Sequence, residues 1–95
     1  MNINPYGLVK VIAGKEKEKY FMIYRMVDDK YALICDGRGR KISNPKKKKI
    51  KHLEILDYTL KELREKSESG KEISNSEVRK SIRKAKINLG ILSEE

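Results

Sequence analysis

Five short segments with strand character crowd into the first 56 residues of this 95-residue chain, and this spacing limits the folds open to it. The gaps between successive segments are only two to eight residues long. Strands this close together must pair antiparallel, because a parallel crossover needs a dozen or more residues. The segments are GLVKVIAG (7–14), YFMIYRMV (20–27), YALICDG (31–37), RKIS (40–43) and HLEIL (52–56).

The second and third segments favour a small barrel. They are apolar at most positions and do not strictly alternate with polar residues, a pattern typical of strands that are covered on both faces. Pro45 has no N–H to donate, so it is expected to break the ladder after the fourth segment. We therefore predict a mainly β fold, with a five-stranded antiparallel barrel of the SH3-like type over residues 1–56.

The remaining residues predict a short helical tail. Residues 57–73 have the pattern of a short helix and a linker. Ser74 and Glu77 fit the capping box that begins a helix, and Gly90 stands where a helix commonly ends. Residues 74–95 are therefore predicted to form an amphipathic helix with a frayed end, which either packs on the barrel or docks on a partner. Its apolar face would comprise Val78, Ile82, Ala85 and Leu89.

Positive charge is concentrated in one segment of the chain. The formal net charge is +9, and residues 38–52 (RGRKISNPKKKKIKH) hold eight Lys or Arg and no acid. A net charge of this size indicates which partners the protein could bind, and nucleic acid is the commonest partner of a small basic domain. An anionic membrane surface or an acidic protein is the alternative. Because predicted strands flank the segment, we interpret it as a basic loop held at both ends.

The chain lacks the residues that several functional classes require. One cysteine, Cys35, and one histidine, His52, exclude an intramolecular disulfide and are too few for a Cys/His metal site. No phosphate-binding G-x-x-x-x-G-K-[ST] loop and no nucleophile–base pair at suggestive spacing occur, so we expect no enzyme activity, no cofactor and no metal. No run approaches the ~18 apolar residues that span a bilayer, and no signal peptide is visible. We therefore expect a cytoplasmic monomer with no membrane partner.

Residues 4–56 resemble a KOW domain. An apolar strand ends at Gly14, where the KOW motif has its characteristic glycine, and a basic turn and a long apolar strand follow. The order D-G-x-x-R-K, P-K-x-K, K-H-L over residues 36–53 is similar to one class of large-subunit ribosomal proteins and to small bacterial KOW-containing RNA-binding proteins. The resemblance implies an SH3-like barrel that binds RNA, often structured ribosomal RNA, without enzymatic activity. One position departs, since relatives often have a second glycine where this chain has Glu18.

The candidate RNA-binding residues are the cations of the basic segment and of the first turn. Arginine offers forked donors for phosphates or for stacking on a base, and lysines follow a backbone as point charges. The set is Arg38, Arg40, Lys41, Lys46, Lys47, Lys48, Lys49, Lys51 and His52, with Lys15, Lys17 and Lys19.

Each group of candidates has a structural alternative. His52 could serve a structural role at a strand start, and the lysines of the first turn could pair with Glu16 and Glu18. The lysine run could simply be solvated, with no binding partner. The basic face of the last helix could equally well face solvent or contact RNA. Among the tyrosines, Tyr6 is the best candidate for stacking on a base.

The sequence thus predicts a non-enzymatic RNA-binding protein that is ribosome-associated and acts in translation. It would bind structured RNA, above all ribosomal RNA, mainly through phosphate contacts from the basic loop. Ribosomal or ribosome-assembly proteins are further candidate partners. The alternative is a protein-interaction module that docks on an acidic surface of a ribosome-assembly or transcription factor.

Overall fold

The computed structural model describes residues 3–94 and contains one antiparallel sheet followed by two helices. The elements are β1 (Gly7–Val11), β2 (Tyr20–Met26), β3 (Tyr31–Cys35), β4 (Lys46–Lys49), β5 (Leu53–Thr59), α1 (Lys61–Glu68) and α2 (Asn75–Asn88). The strand order is β4-β3-β2-β1-β5, and every neighbouring pair is antiparallel. The predicted mainly β class and the antiparallel pairing are therefore confirmed.

The fourth strand lies at other residues than those predicted. RKIS (40–43) forms turns, and the strand is the lysine run Lys46–Lys49, with Lys46 opposite Ile34 of β3. Pro45 therefore precedes the strand and does not interrupt it. An edge strand needs only backbone pairing on one side, and lysines are common there because their charge opposes further pairing. The basic segment is thus partly a strand and not a continuous loop.

The last strand and the tail also differ in their bounds from the prediction. β5 continues to Thr59 instead of ending at residue 56, and α1 takes only the middle of the predicted 57–73 region. The predicted frayed end is non-helical over residues 91–94, and residue 95 lies outside the described residues.

The predicted closure of the barrel is wrong for the described residues. β4 and β5 are the two edges of the sheet and do not pair with each other. The 3₁₀ turn Ile50–His52 joins them, and its ends bond to other segments. The Ile50 N–H donates to the Lys30 carbonyl at 2.8 Å, and the His52 carbonyl accepts the Ile12 N–H at 2.9 Å. These bonds replace the edge-to-edge ladder that a closed barrel would need.

Both faces of the sheet are apolar, which explains the nearly continuous apolar runs of β2 and β3. One face, the inner face, holds a buried cluster of Val9, Val11, Phe21, Ile23, Ala32, Ile34 and Leu53. The opposite face, the helix face, holds Leu8, Met22 and Cys35, which cluster with Leu63, Val78, Ile82 and Ala85 from the two helices. Cys35 is fully buried, and this burial raises the pKa of its thiol to about 12, so the cysteine acts as an apolar residue of the core.

Helix α2 begins at the predicted capping box and packs on the sheet. The Ser74 Oγ accepts the Glu77 N–H at 3.1 Å, and the Glu77 carboxylate accepts the Ser74 N–H at 2.9 Å. Three of the four predicted apolar residues, Val78, Ile82 and Ala85, are buried. Leu89 is 41% exposed, because the helix ends at Asn88 and Leu89 is its C-cap. None of the helices within residues 3–94 is long and apolar enough to cross a membrane.

The Glu77 carboxylate makes the stability of the fold depend on pH. It accepts a 2.6 Å hydrogen bond from Lys66 Nζ and a second bond from the Ser74 N–H, and these lower its pKa from 4.5 to about 2. The stabilisation is therefore fully present above pH 4.5 and is lost as the pH falls from 4.5 towards 2. Glu77→Gln is expected to flatten the acid limb of the unfolding free energy, measured by urea denaturation across this pH range.

A matched variant in α1 provides the control for this pH prediction. Glu68→Gln removes an exposed glutamate whose side chain forms no hydrogen bond or ion pair with other residues in 3–94. It should leave the acid limb as steep as in the natural protein. Equal acid limbs in the two variants would show that Glu77 does not contribute to the acid response.

Candidate nucleic-acid interface

The lysines of β4 alternate between the two faces of the sheet. Residues directly opposite on paired strands share a face. Lys46 and Lys48 therefore lie on the inner face, opposite Ile34 and Ala32, and both are half-buried. Lys47 and Lys49 project from the other face and are exposed. Because both belong to one strand, the strand holds them about 7 Å apart.

The first turn, residues 12–19, meets β4 through Glu16. The Glu16 carboxylate lies 3.5 Å from Lys46 Nζ and 3.9 Å from Arg40 Nε, and it is only 17% exposed. Lys48 Nζ also reaches this turn, 3.0 Å from the point where a Cβ on Gly14 would stand. The two basic segments are therefore neighbours, and Glu16 compensates part of the charge of Arg40 and Lys46.

The three predicted lysines of the first turn are exposed and do not pair with the acids between them. Glu16 faces inward, and the Glu18 carboxylate lies 2.8 Å from Lys10 Nζ. That pair lowers the pKa of Glu18 and raises the pKa of Lys10. No ion pair within residues 3–94 includes Lys15, Lys17 or Lys19, so the turn does not neutralise itself.

Glu18 has the backbone conformation that a glycine favours. Its φ is +76°, and its N–H donates to the Val11 carbonyl at 2.8 Å to close the turn. A left-handed conformation strains a residue with a Cβ by roughly 1–2 kcal/mol. The turn thus keeps a glycine-like conformation although the side chain at this position is a glutamate.

The turn between β3 and β4 sends its two arginines to different places. Asp36 Oδ1 accepts the N–H groups of Arg38 and Arg40, both at 2.9 Å, and this shapes the turn. The Arg40 side chain is half-buried and reaches Glu16. The exposed Arg38 side chain instead lines a groove beside α2. The two arginines, which the sequence treats as equivalent, therefore have different environments.

His52 and Tyr6 take part in the fold. The His52 carbonyl accepts the Ile12 N–H just before β5, and this backbone contact does not involve the imidazole, which stays a candidate RNA contact. The Tyr6 hydroxyl donates to Ser67 Oγ of α1 at 2.7 Å, and its ring packs on the helix-face cluster. Tyr6 therefore packs within the fold, whereas the sequence indicated it as the best candidate for stacking on an RNA base. The aromatic ring beside the exposed lysines is Tyr31, with Lys47 Nζ 4.7 Å from the ring centroid.

The structure brings a second set of cations together that the sequence left undecided. The groove that Arg38 lines is also lined by Tyr20 of β2 and by four basic residues of α2. These four are Arg79, Lys80, Arg83 and Lys86. Arg79, Arg83 and Lys86 follow one another at four and three residues, and Lys80 precedes Arg83 by three. This spacing is the signal that could have identified them, because residues three or four apart are neighbours on a helix surface. The sequence does not show that these residues border Arg38 and Tyr20.

Comparison of the chain with protein-family models and with curated proteins finds no match. The resemblance to KOW domains therefore depends on the motifs quoted from the sequence. Within residues 3–94, no group of three His, Cys, Asp or Glu residues is placed to hold a metal ion. The chemistry of this surface is that of lysine and arginine side chains beside tyrosine rings.

Proposed function

We propose that the protein binds structured RNA, ribosomal RNA in particular, through five cations at the β4 edge of the sheet. This β4 surface comprises Arg38, Lys41, Lys47, Lys49 and Lys51. All five side chains are exposed, and none forms an ion pair with a carboxylate of residues 3–94. This uncompensated charge, carried by Lys47 and Lys49 on the paired strand β4 and by three cations in the segments beside it, is the observation that carries the proposal.

Contacts between these cations and RNA phosphates are the physical basis of the proposed binding. Each cation that neutralises a phosphate releases condensed counterions, and this release drives binding to a polyanion. Contacts to phosphate carry no direct sequence information, so the shape of the RNA determines where such a surface fits. The backbone of Lys47 and Lys49 is fixed by its pairing with β3, so these cations lose less freedom on binding than cations on a free tail. Structured RNA therefore suits this surface better than a flexible single strand.

The proposal includes the KOW family and the SH3-like fold. The order of the motifs from Gly14 to Leu53 supports it, as does the glycine-like turn at Glu18. A protein of this kind would act without catalysis, in the cytoplasm, in association with the ribosome.

The alternative is docking of the same cations on an acidic protein. One form of it uses the apolar face of α2, and that face is already buried against the sheet through Val78, Ile82 and Ala85. The alternative therefore depends on charge alone, and RNA presents a denser array of negative charge. For this reason we favour RNA.

Binding assays test the proposal. The protein is titrated by fluorescence anisotropy into a folded ribosomal RNA fragment and into a DNA duplex of equal length. We expect tighter binding to the folded RNA, and a loss of affinity of roughly several hundred-fold between 50 and 200 mM salt if all five cations contact phosphates. Equal affinity for RNA and DNA would contradict the proposal. Saturable binding to one protein in nuclease-treated lysate, without RNA preference, would favour the alternative.

A further inference from the structure

A second basic surface lies on the helix side of the protein, where α2 borders β2 and the turn at residues 36–40. We call it the α2 groove, and its polar lining is Tyr20, Asp36, Arg38, Arg79, Lys80, Arg83 and Lys86. The cations come from two distant parts of the chain, and only the packing of α2 on the sheet brings them together. The groove is open to solvent, and Glu16, the acid that compensates Arg40 and Lys46, is not among its lining residues.

The charge of this groove is largely uncompensated. Asp36 is the one carboxylate among the described residues that line it, and its Oδ1 already accepts two backbone N–H groups. Within residues 3–94, Lys80, Arg83 and Lys86 form no ion pair. Lys84 does not line the groove, and its Nζ lies 3.4 Å from a Glu62 carboxylate oxygen. The uncompensated cations of α2 among the described residues are therefore those of the groove.

Hydrogen bonds fix the walls of the groove relative to each other. Arg79 Nη1 donates to the Gly37 carbonyl at 2.8 Å, and Asn75 Oδ1 accepts the Ile42 N–H at 2.9 Å. At the other end, Lys86 Nζ lies 5.0 Å from the centroid of the Tyr20 ring. The backbone segments that carry these cations are therefore fixed relative to each other before any ligand arrives, which lowers the entropy lost on binding.

Arg38 belongs to both basic surfaces. It is the exposed arginine of the β4 surface, and it also lines the α2 groove. The two surfaces thus adjoin at the turn between β3 and β4. A folded RNA places separate backbone segments close together, whereas an extended single strand offers one segment at a time.

We infer that the α2 groove binds the phosphate backbone of a second segment of the same RNA, so that one folded RNA contacts both the β4 surface and α2. This inference rests on the proposed function and deepens it. Arg79 mainly holds the wall of the groove through Gly37, and Lys80, Arg83 and Lys86 supply the phosphate contacts. Arg38 lies where the two backbone segments converge.

A pair of charge-matched variants tests the inference. The groove variant carries Lys80→Gln, Arg83→Gln and Lys86→Gln. The control variant carries Lys61→Gln, Lys71→Gln and Lys84→Gln, which removes the same charge from exposed side chains outside the groove. With folded ribosomal RNA at 0.15 M salt, the groove variant should lose roughly 100-fold in affinity, and its salt slope should become shallower by about 2 to 3. The control variant should stay within about fivefold of the natural protein.

The outcomes separate this inference from the proposed function. Equal, small losses in both variants would overturn the inference, while a preference of the natural protein for folded RNA over DNA would leave the proposed function intact. Absence of that preference would contradict the proposed function itself. If the groove variant bound RNA normally but lost binding to an acidic protein, the groove would belong to a protein partner and the inference would fail.

A second variant protects the test against misfolding. The thermal midpoints of both triple variants are compared with that of the natural protein. If the groove variant unfolds early, Arg83→Gln alone takes its place, because its side chain is exposed and lies outside the hydrogen bonds that hold α2 to the turn. One lost phosphate contact should reduce the affinity roughly fivefold. An unchanged affinity would overturn the inference.

Discussion

Gly37→Ala is expected to destabilise the protein by roughly 3 kcal/mol or more, for two additive reasons. A Cβ at this position would stand 2.3 Å from the backbone carbonyl oxygen of Asn75, at the start of α2. The φ of Gly37 is also +75°, which a residue with a Cβ adopts only under strain. The carbonyl cannot move aside without separating α2 from the turn, because the Ile42–Asn75 and Gly37–Arg79 hydrogen bonds hold the two together.

Two other glycines separate the contributions of strain and of contact. Gly90→Ala shares the positive φ, +74°, but a Cβ there meets nothing within 4 Å, so it should lose only about 1 kcal/mol. A Cβ on Gly39 would meet nothing within 4 Å, and the φ of Gly39 is not positive. Gly39→Ala should therefore leave the free energy of unfolding nearly unchanged. Urea denaturation measures all three free energies of unfolding. Equal losses for Gly37→Ala and Gly90→Ala would show that α2 does not contact the turn as described.

Removal of the exposed lysines of the β4 surface is expected to have the largest effect on function. Lys47→Gln, Lys49→Gln and Lys51→Gln together should weaken binding to folded RNA roughly 100-fold at 0.15 M salt. The salt slope should become shallower by about 2 to 3, because three phosphate contacts are lost. The fold should survive, since all three side chains are exposed and the pairing of β4 with β3 uses backbone groups. Fluorescence anisotropy across a range of salt concentrations measures both quantities.

The control for this variant removes the same charge elsewhere. Lys61→Gln, Lys71→Gln and Lys84→Gln lower the net charge equally but lie outside the β4 surface. Urea denaturation checks that the lysine variant is folded, since it also loses the contact of Lys47 with the Tyr31 ring, which contributes about 0.5–1 kcal/mol at an exposed site. Equal losses of RNA affinity in the two variants would mean that net charge alone drives binding. The assignment of the site to β4 would then be wrong.

Much of the fold follows from local patterns in the sequence. β2 and β3 are apolar runs bounded by turn residues, and the core of β5 is recognisable because apolar and polar residues alternate in it. The Ser74–Glu77 capping box indicates the start of α2. The fourth strand could not be found in this way. Lysine is a poor strand former, and Lys46–Lys49 is a strand because its backbone pairs with β3, a contact between distant residues. Barrel closure likewise depends on pairing between distant edges, and the 3₁₀ turn Ile50–His52 replaces that pairing here.

For the candidate site, too, the sequence reveals local features but not the contacts between residues that are distant in the chain. The cluster of cations in residues 38–52 is visible in the sequence as a count of charges. Which of them remain uncompensated depends on Glu16, which lies more than twenty residues before its partners Arg40 and Lys46. The α2 groove is visible as a basic stripe on a helix, but its partner, Arg38, is recognisable only once α2 is packed against the turn.

Ribosomal RNA binding by the β4 surface is best tested by crosslinking in living cells, with sequencing of the bound RNA and sedimentation of ribosomes from the same lysate. We expect the sequenced fragments to concentrate on a few ribosomal RNA helices and the protein to sediment with a ribosomal subunit. The variant without Lys47, Lys49 and Lys51 should lose both signals, whereas the charge-matched control should keep them. Fragments scattered over many RNAs, with the protein at the top of the gradient, would show that ribosomal RNA is not the partner and would favour an acidic protein.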